Sequence, residues 1–79
     1  MSTMKHIRTS VFGASQKEFA EIAGVHQATV SRWDRGEFFP EIEAMRNIRN
    51  AARERSLYWE DAYFFDAPGA WQERNDGSV

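Results

Sequence analysis

The sequence predicts an all-α fold, a compact bundle of five short helices, from three observations. Apolar residues recur three and four apart along most of the chain, the spacing of one helix face. Glycines at 13, 24 and 36 punctuate these stretches where helices would end. Ser15-Gln16-Lys17-Glu18 is a capping box, in which the serine hydroxyl accepts from the amide of Glu18 and the glutamate reaches back to the amide of Ser15.

Thr3 to Phe12 reads as the first helix, with Met4, Ile7, Val11 and Phe12 on one side, although Thr9, Ser10 and Val11 are weak helix formers. The capping box starts a second helix, Gln16 to Ala23, and Gly24 ends it because glycine takes a left-handed backbone at low cost. A third helix runs from Gln27 to Arg35 and is closed by Gly36. Glu37-Phe38-Phe39 is a connector, and Pro40 suits the first turn of a fourth helix, where its missing amide costs nothing. That helix spans Glu41 to Arg55, with Ile42, Ala44, Met45, Ile48 and Ala52 in one stripe of roughly 160°, wide enough to face a core. Trp59 to Phe65, in a stretch dense in aromatics, reads as a fifth helix, stopped by Asp66-Ala67-Pro68-Gly69. The domain is therefore expected over residues 1–68, with 69–79 a flexible polar tail.

The chain has 79 residues, enough for one domain. A domain of this size buries only about 60% of its unfolded surface, so its core must be efficient or shared with a second subunit. There is no cysteine, which excludes disulfides and thiolate metal sites. No stretch approaches the roughly 18 apolar residues of a membrane span, and no apolar leader is visible, so a soluble cytoplasmic protein is expected. The net charge of −2 hides an asymmetry: residues 1–55 carry nine Lys/Arg against seven Asp/Glu, and residues 56–79 carry one against five. The acidic excess thus lies at the C-terminal end, and local charge rather than the total governs association. No nucleophile stands beside a base, no glycine loop could cradle a phosphate, and no metal-ligand spacing occurs, so an enzyme is not expected.

The third helix has two distinct faces. Val30 and Trp33 lie three apart and point the same way, as do Phe19, Ala20 and Ala23 of the second helix, with Val25 filling the angle between them. The opposite side presents Gln27, Ala28, Ser31, Arg32 and Arg35. These types suit a DNA major groove: glutamine pairs with adenine, arginine with guanine, serine with either, and alanine touches a thymine methyl. A surface helix without a target would more usually mix Glu and Lys there.

The run Gln16-…-Phe19-Ala20-…-Ala23-Gly24-Val25-…-Val30-Ser31-Arg32-Trp33-Asp34-Arg35-Gly36 resembles the phage-repressor-type helix-turn-helix family, also called the XRE family. The Ser-Arg-Trp-Asp-Arg-Gly ending is similar to that family's Ser-x-Trp-Glu-x-Gly. The likeness covers residues 12 to about 55 well and the segment near Trp59 more loosely. It implies a phage-repressor-like domain with the helix-turn-helix at 16–35 and the third helix in the major groove. Gln27, Ala28, Ser31 and Arg32 would read bases, while Gln16, Lys17, His26, Thr29, Arg35 and Gly36 would face the phosphate backbone, Gln16 from a helix N-terminus. Asp34 departs from the family's usual Glu; Arg8 is its candidate partner, and the shorter side chain leaves that pairing open.

Trp33 is expected in the core rather than stacked on a base, since it lies opposite the polar face. His26 is no zinc ligand, with only His6 beside it in the whole chain. Arg46, Arg49 and Arg53 form a solvated strip pairing with Glu41, Glu43 or Glu54, with an edge contact to DNA as the alternative. The aromatic cluster is too large to hide easily in so small a monomer, so Trp59, Tyr63, Phe64 and Phe65 are expected at a homodimer interface, with internal packing as the alternative. The leading expectation is a homodimeric transcriptional regulator, a repressor of phage, mobile-element or bacterial genes that binds a palindromic duplex operator and needs no cofactor, metal or small-molecule ligand. The alternatives are an antitoxin that also binds a toxin, and a structural or coactivator domain that does not read bases.

Overall fold

A computed structural model describes residues 2–65, and it is all-helical, with no strand among the described residues. The expected stop at Asp66–Gly69 and the tail at 69–79 lie outside them. Four α-helices, one π-helical segment and one 3₁₀ turn follow in order: α1 (Thr3–His6), the π segment (Ile7–Phe12), α2 (Gln16–Ala23), α3 (Gln27–Asp34), α4 (Ile42–Glu54) and the turn (Asp61–Phe64). Their shared core is Met4, Ile7, Phe19, Ala20, Ala23, Val30, Trp33, Ala44, Ile48 and Phe64.

The first expected helix is corrected: only Thr3–His6 is α-helical, and Ile7–Phe12 is wound wider. The Thr9 hydroxyl donates to the Lys5 carbonyl (2.9 Å), offering that acceptor an alternative to the α-helical ladder. The Arg8 carbonyl then accepts from the amides of both Gly13 and Ala14, a bonding reach of five and six residues. The wider winding changes which side chain follows Ile7 onto the core. An α-helix would bring Val11; here Phe12 packs inward, its ring 5.5 Å from that of Phe19.

The capping box forms as the sequence requires, with Ser15 Oγ accepting from the Glu18 amide (3.1 Å) and Glu18 Oε1 accepting from the Ser15 amide (2.8 Å). That amide, together with the Ser15 hydroxyl, holds the Glu18 carboxyl below its ordinary value. At the other end of α2, Gly24 sits at φ +75 and closes the helix through a bond from Val25 N–H to the Ala20 carbonyl (3.0 Å). Asn47 of α4 donates to the Ala23 carbonyl (3.0 Å) and would lie 3.1 Å from a Cβ at position 24. Glycine is thus favoured there by its left-handed backbone, and the Asn47 side chain would have to shift to admit a Cβ.

Helix α3 ends one residue earlier than expected, at Asp34, with Arg35 as its cap. Helix α4 begins at Ile42 because Glu41 is extended (φ −76, ψ 164) and serves as N-cap, so Pro40 precedes the helix instead of opening it. This start leaves Ile42 69% exposed, off the stripe assigned to it, while Ala51 joins Ala44, Ile48 and Ala52 in burial. The chain leaves α4 through Ser56, a non-glycine residue at φ +56.

The expected fifth helix over Trp59–Phe65 is also corrected. Glu60 is extended (φ −130, ψ 132), and only the 3₁₀ turn follows. The extended approach lets Trp59 Nε1 donate to Asp61 (2.9 Å) and lays its ring against Phe12 and Phe64. Phe64 is thereby driven to 3% exposure in the chain's own core.

Candidate nucleic-acid interface

The candidate interface is built on α2 and α3, which are joined by the three residues Gly24 to His26. Phe19, Ala20 and Ala23 of α2 are buried against Val30 and Trp33 of α3, and Val25 fills the angle between the helices. Trp33 is 2% exposed and meets the Phe19 ring edge-on at 6.1 Å. Burying one side of α3 turns the other outward. Gln27, Ala28, Arg32 and Arg35 are exposed, as are His26 before the helix and Gly36 after it, while Thr29 and Ser31 are half-buried. On α2, Lys17 is exposed and Gln16 half-buried.

A half-buried polar network ties α2 to α3. Asp34, at the end of α3, accepts a forked pair of bonds from Arg8 of the π segment, 2.7 Å from Nη2 and 3.4 Å from Nε. The pairing left open by the sequence is thus made, with side-chain exposures of 12% and 9%. Arg8 also donates through Nη1 to the Ala14 carbonyl (2.9 Å). Gln16 Nε2 donates to the same Asp34 carboxylate (2.9 Å), so the first residue of α2 is held against the last of α3. One hydrogen of the Gln16 amide is used here, and its second is left for another acceptor such as a phosphate.

A second set of contacts surrounds the exposed arginines. Arg35 Nε lies 2.8 Å from Glu37 Oε2, and Arg35 Nη2 lies 3.5 Å from Oε1. Its third nitrogen, Nη1, donates to Ser31 Oγ (2.8 Å). The bond to Glu37 raises the Arg35 pKa, and the same bond lowers that of Glu37, with the charges of Arg35 and Arg32 adding to it. Arg32 lies over the Phe38 ring, 5.5 Å from its centroid, a cation–π arrangement that positions the guanidinium. Glu37 and Phe38 therefore belong to the surface around α3; the sequence identifies them as a connector, and the resemblance implies that this loop clamps the phosphate backbone beside Arg35 and Gly36. Gly36 carried the signal: a glycine one residue past a helix cap brings the next two side chains back over the last turn.

Other expected residues fall differently. Arg49 reaches Asp61 of the 3₁₀ turn (3.4 Å) and not one of the three glutamates expected. Of the four aromatics expected at a dimer interface, Phe64 is in the core and Trp59 and Tyr63 pack half-buried against it: the extended approach lays Trp59 on the core, and the 3₁₀ turn carries Tyr63 and Phe64 inward. Phe65 is 71% exposed, and its ring lies 6.3 Å from that of Phe39. Among the described residues, no three His, Asp or Glu side chains are grouped to hold a metal, and no helix is long and apolar enough to cross a membrane. No protein-family model, curated protein or solved structure matches this chain.

Proposed function

We propose that this chain is a sequence-specific duplex-DNA-binding regulator, in which α2, the turn and α3 act as a helix-turn-helix of the phage-repressor type. The observation that carries the reading is the sidedness of α3, with Val30 and Trp33 buried and Gln27, Ala28 and Arg32 exposed. Gln27, Ala28, Ser31 and Arg32 would face base edges, and Gln16, Lys17, His26, Thr29, Arg35 and Gly36 would face phosphates on either side. Gln16 suits that task because Asp34 already fixes its orientation.

The experiment is selection of bound sites from random duplex DNA, followed by a salt titration on the enriched duplex. It should return a half-site together with a slope that counts phosphate contacts. Arg32→Ala should cost about 1–3 kcal/mol and relax preference at one base position. Failure to enrich any duplex, or an Arg32→Ala variant with unaltered preference at every position, sinks the base-reading role.

The proposed regulator, a repressor, acts as a homodimer on a palindromic site, with its interface centred on Phe65. Phe65, Phe39 and Ile42 are large apolar side chains left exposed, and Ile42 and Phe65 line one cleft together with Arg46, Arg49 and Asp61. A cleft lined by both charge signs suits a two-fold interface, where the exposed Arg46 of each copy can meet an acid of the other. Phe65→Ser should shift sedimentation from dimer to monomer with the helical circular dichroism intact. A dimer unchanged by that substitution places the interface elsewhere.

A further inference from the structure

Glu37 stands out as an acid on the surface that the proposed function gives to a polyanion. Its place is fixed by the end of α3. The Gly36 amide bonds to the Trp33 carbonyl (3.0 Å) and the Glu37 amide to the Arg32 carbonyl (3.0 Å), with Gly36 at φ +75. This closure sets the Glu37 side chain beside Arg35. The carboxylate takes the Nε and Nη2 edge of the guanidinium side-on, the fork geometry in which arginine also takes a phosphate. Ser31 occupies Nη1, so every nitrogen of Arg35 is engaged within the chain.

The pair is exposed, with side-chain exposures of 55% for Arg35 and 50% for Glu37, so solvent and salt reach it and it can exchange. A phosphate arriving at Arg35 must displace Glu37 or share the cation with it. Resting on the DNA reading above, we propose that Glu37 is an internal competitor for DNA phosphate, occupying Arg35 in the free protein and holding down affinity for duplex of any sequence. The device matters because affinity without sequence preference comes from phosphate neutralisation, and bulk DNA presents far more non-specific sites than operators. Removing one effective cation per chain keeps the protein from being titrated by that excess.

The test is a double-mutant cycle between Glu37→Gln and Arg35→Ala, read by binding to a mixed-sequence duplex and to the duplex enriched by the wild-type chain. In the wild-type background, Glu37→Gln should tighten binding to both duplexes about fivefold and steepen the salt dependence by about 0.9 log units per chain bound. In the Arg35→Ala background the same substitution should have no effect on affinity or slope, because the cation that Glu37 occupies is gone. Equal tightening in both backgrounds would mean that Glu37 repels DNA through its field alone, and it overturns the proposal. So does Glu37→Gln with unchanged binding while the wild-type chain binds normally. If the wild-type chain and all three variants bind neither duplex, the DNA reading itself fails and this inference with it. Circular dichroism of each variant should match the wild type, since neither side chain enters the core.

Discussion

Replacing Arg8 by alanine should lower the stability of this domain by about 3 kcal/mol, the lower end for breaking a buried ion pair, because both side chains of this half-buried pair are almost enclosed. For a domain of this size that is a fall in melting temperature of roughly 12–24 °C. The cost arises from what is left behind. The Asp34 side chain is 9% exposed and would have only the Gln16 amide to answer it, while the Ala14 carbonyl would lose its bond from Nη1. Water cannot readily replace the guanidinium at a side chain so enclosed, so the desolvation of Asp34 goes uncompensated. A second variant isolates the cause. Arg8→Leu combined with Asp34→Leu removes the orphaned charge and should recover most of the loss, because apolar groups of similar size often replace a buried pair at little cost. Thermal melts of the two variants decide the matter. A loss below about 1 kcal/mol for Arg8→Ala is the outcome expected of a surface pair, and it would mean that this network does not hold α3 to α2. The network also bears on the proposed function, since Gln16 is oriented by the carboxylate that Arg8 pairs with.

What the sequence made legible, and what it did not, divides by the range of the interactions involved. The capping box at Ser15, the glycine stop at Gly24 and the two faces of α3 are local: each depends on residues within a turn or two, and each could be read from spacing. Trp33 was legible for the same reason, three residues from Val30 and opposite the polar side. The π segment was not, although its cause lies in the chain. Thr9 was recognised as a weak helix former, but whether its hydroxyl would take the Lys5 carbonyl depends on Phe12 finding Phe19 and Trp59 once the winding widens. The aromatic segment failed similarly. Counting rings showed more apolar surface than a small monomer hides easily, but not which rings turn inward, and that was settled by the pocket among Phe12, Phe19 and the helices that receives Trp59 and Phe64. In the candidate interface, residue types on α3 were legible while their partners were not. Glu37 is two residues from Arg35, a spacing that puts side chains on one face of a strand but not of a helix, and the two meet here because the chain turns back after Gly36.

Trp33→Ala should cost about 3–5 kcal/mol, the range for removing a buried large aromatic. The indole is 2% exposed, packs edge-on to Phe19 and sits where α2 and α3 meet, so its loss leaves a cavity that the two helices, tied together through Asp34 and Gln16, cannot easily close. At that cost much of a 79-residue domain's stability is gone, and loss of DNA binding by this variant would say nothing about which side of α3 touches DNA. Trp33→Phe separates the two. Phenylalanine keeps an aromatic edge toward Phe19 and fills much of the volume, so the expected cost is about 1–2 kcal/mol and the fold survives. Because Trp33 faces inward while Gln27, Ala28 and Arg32 face out, a folded Trp33→Phe variant should enrich the same duplex sequence as the wild type. A tryptophan stacked on a base would behave oppositely: alanine there would spare stability, and phenylalanine would shift base preference with the melting temperature unchanged. That second pattern would place the DNA-reading side of α3 where the core is now assigned, and the functional proposal would fall with it.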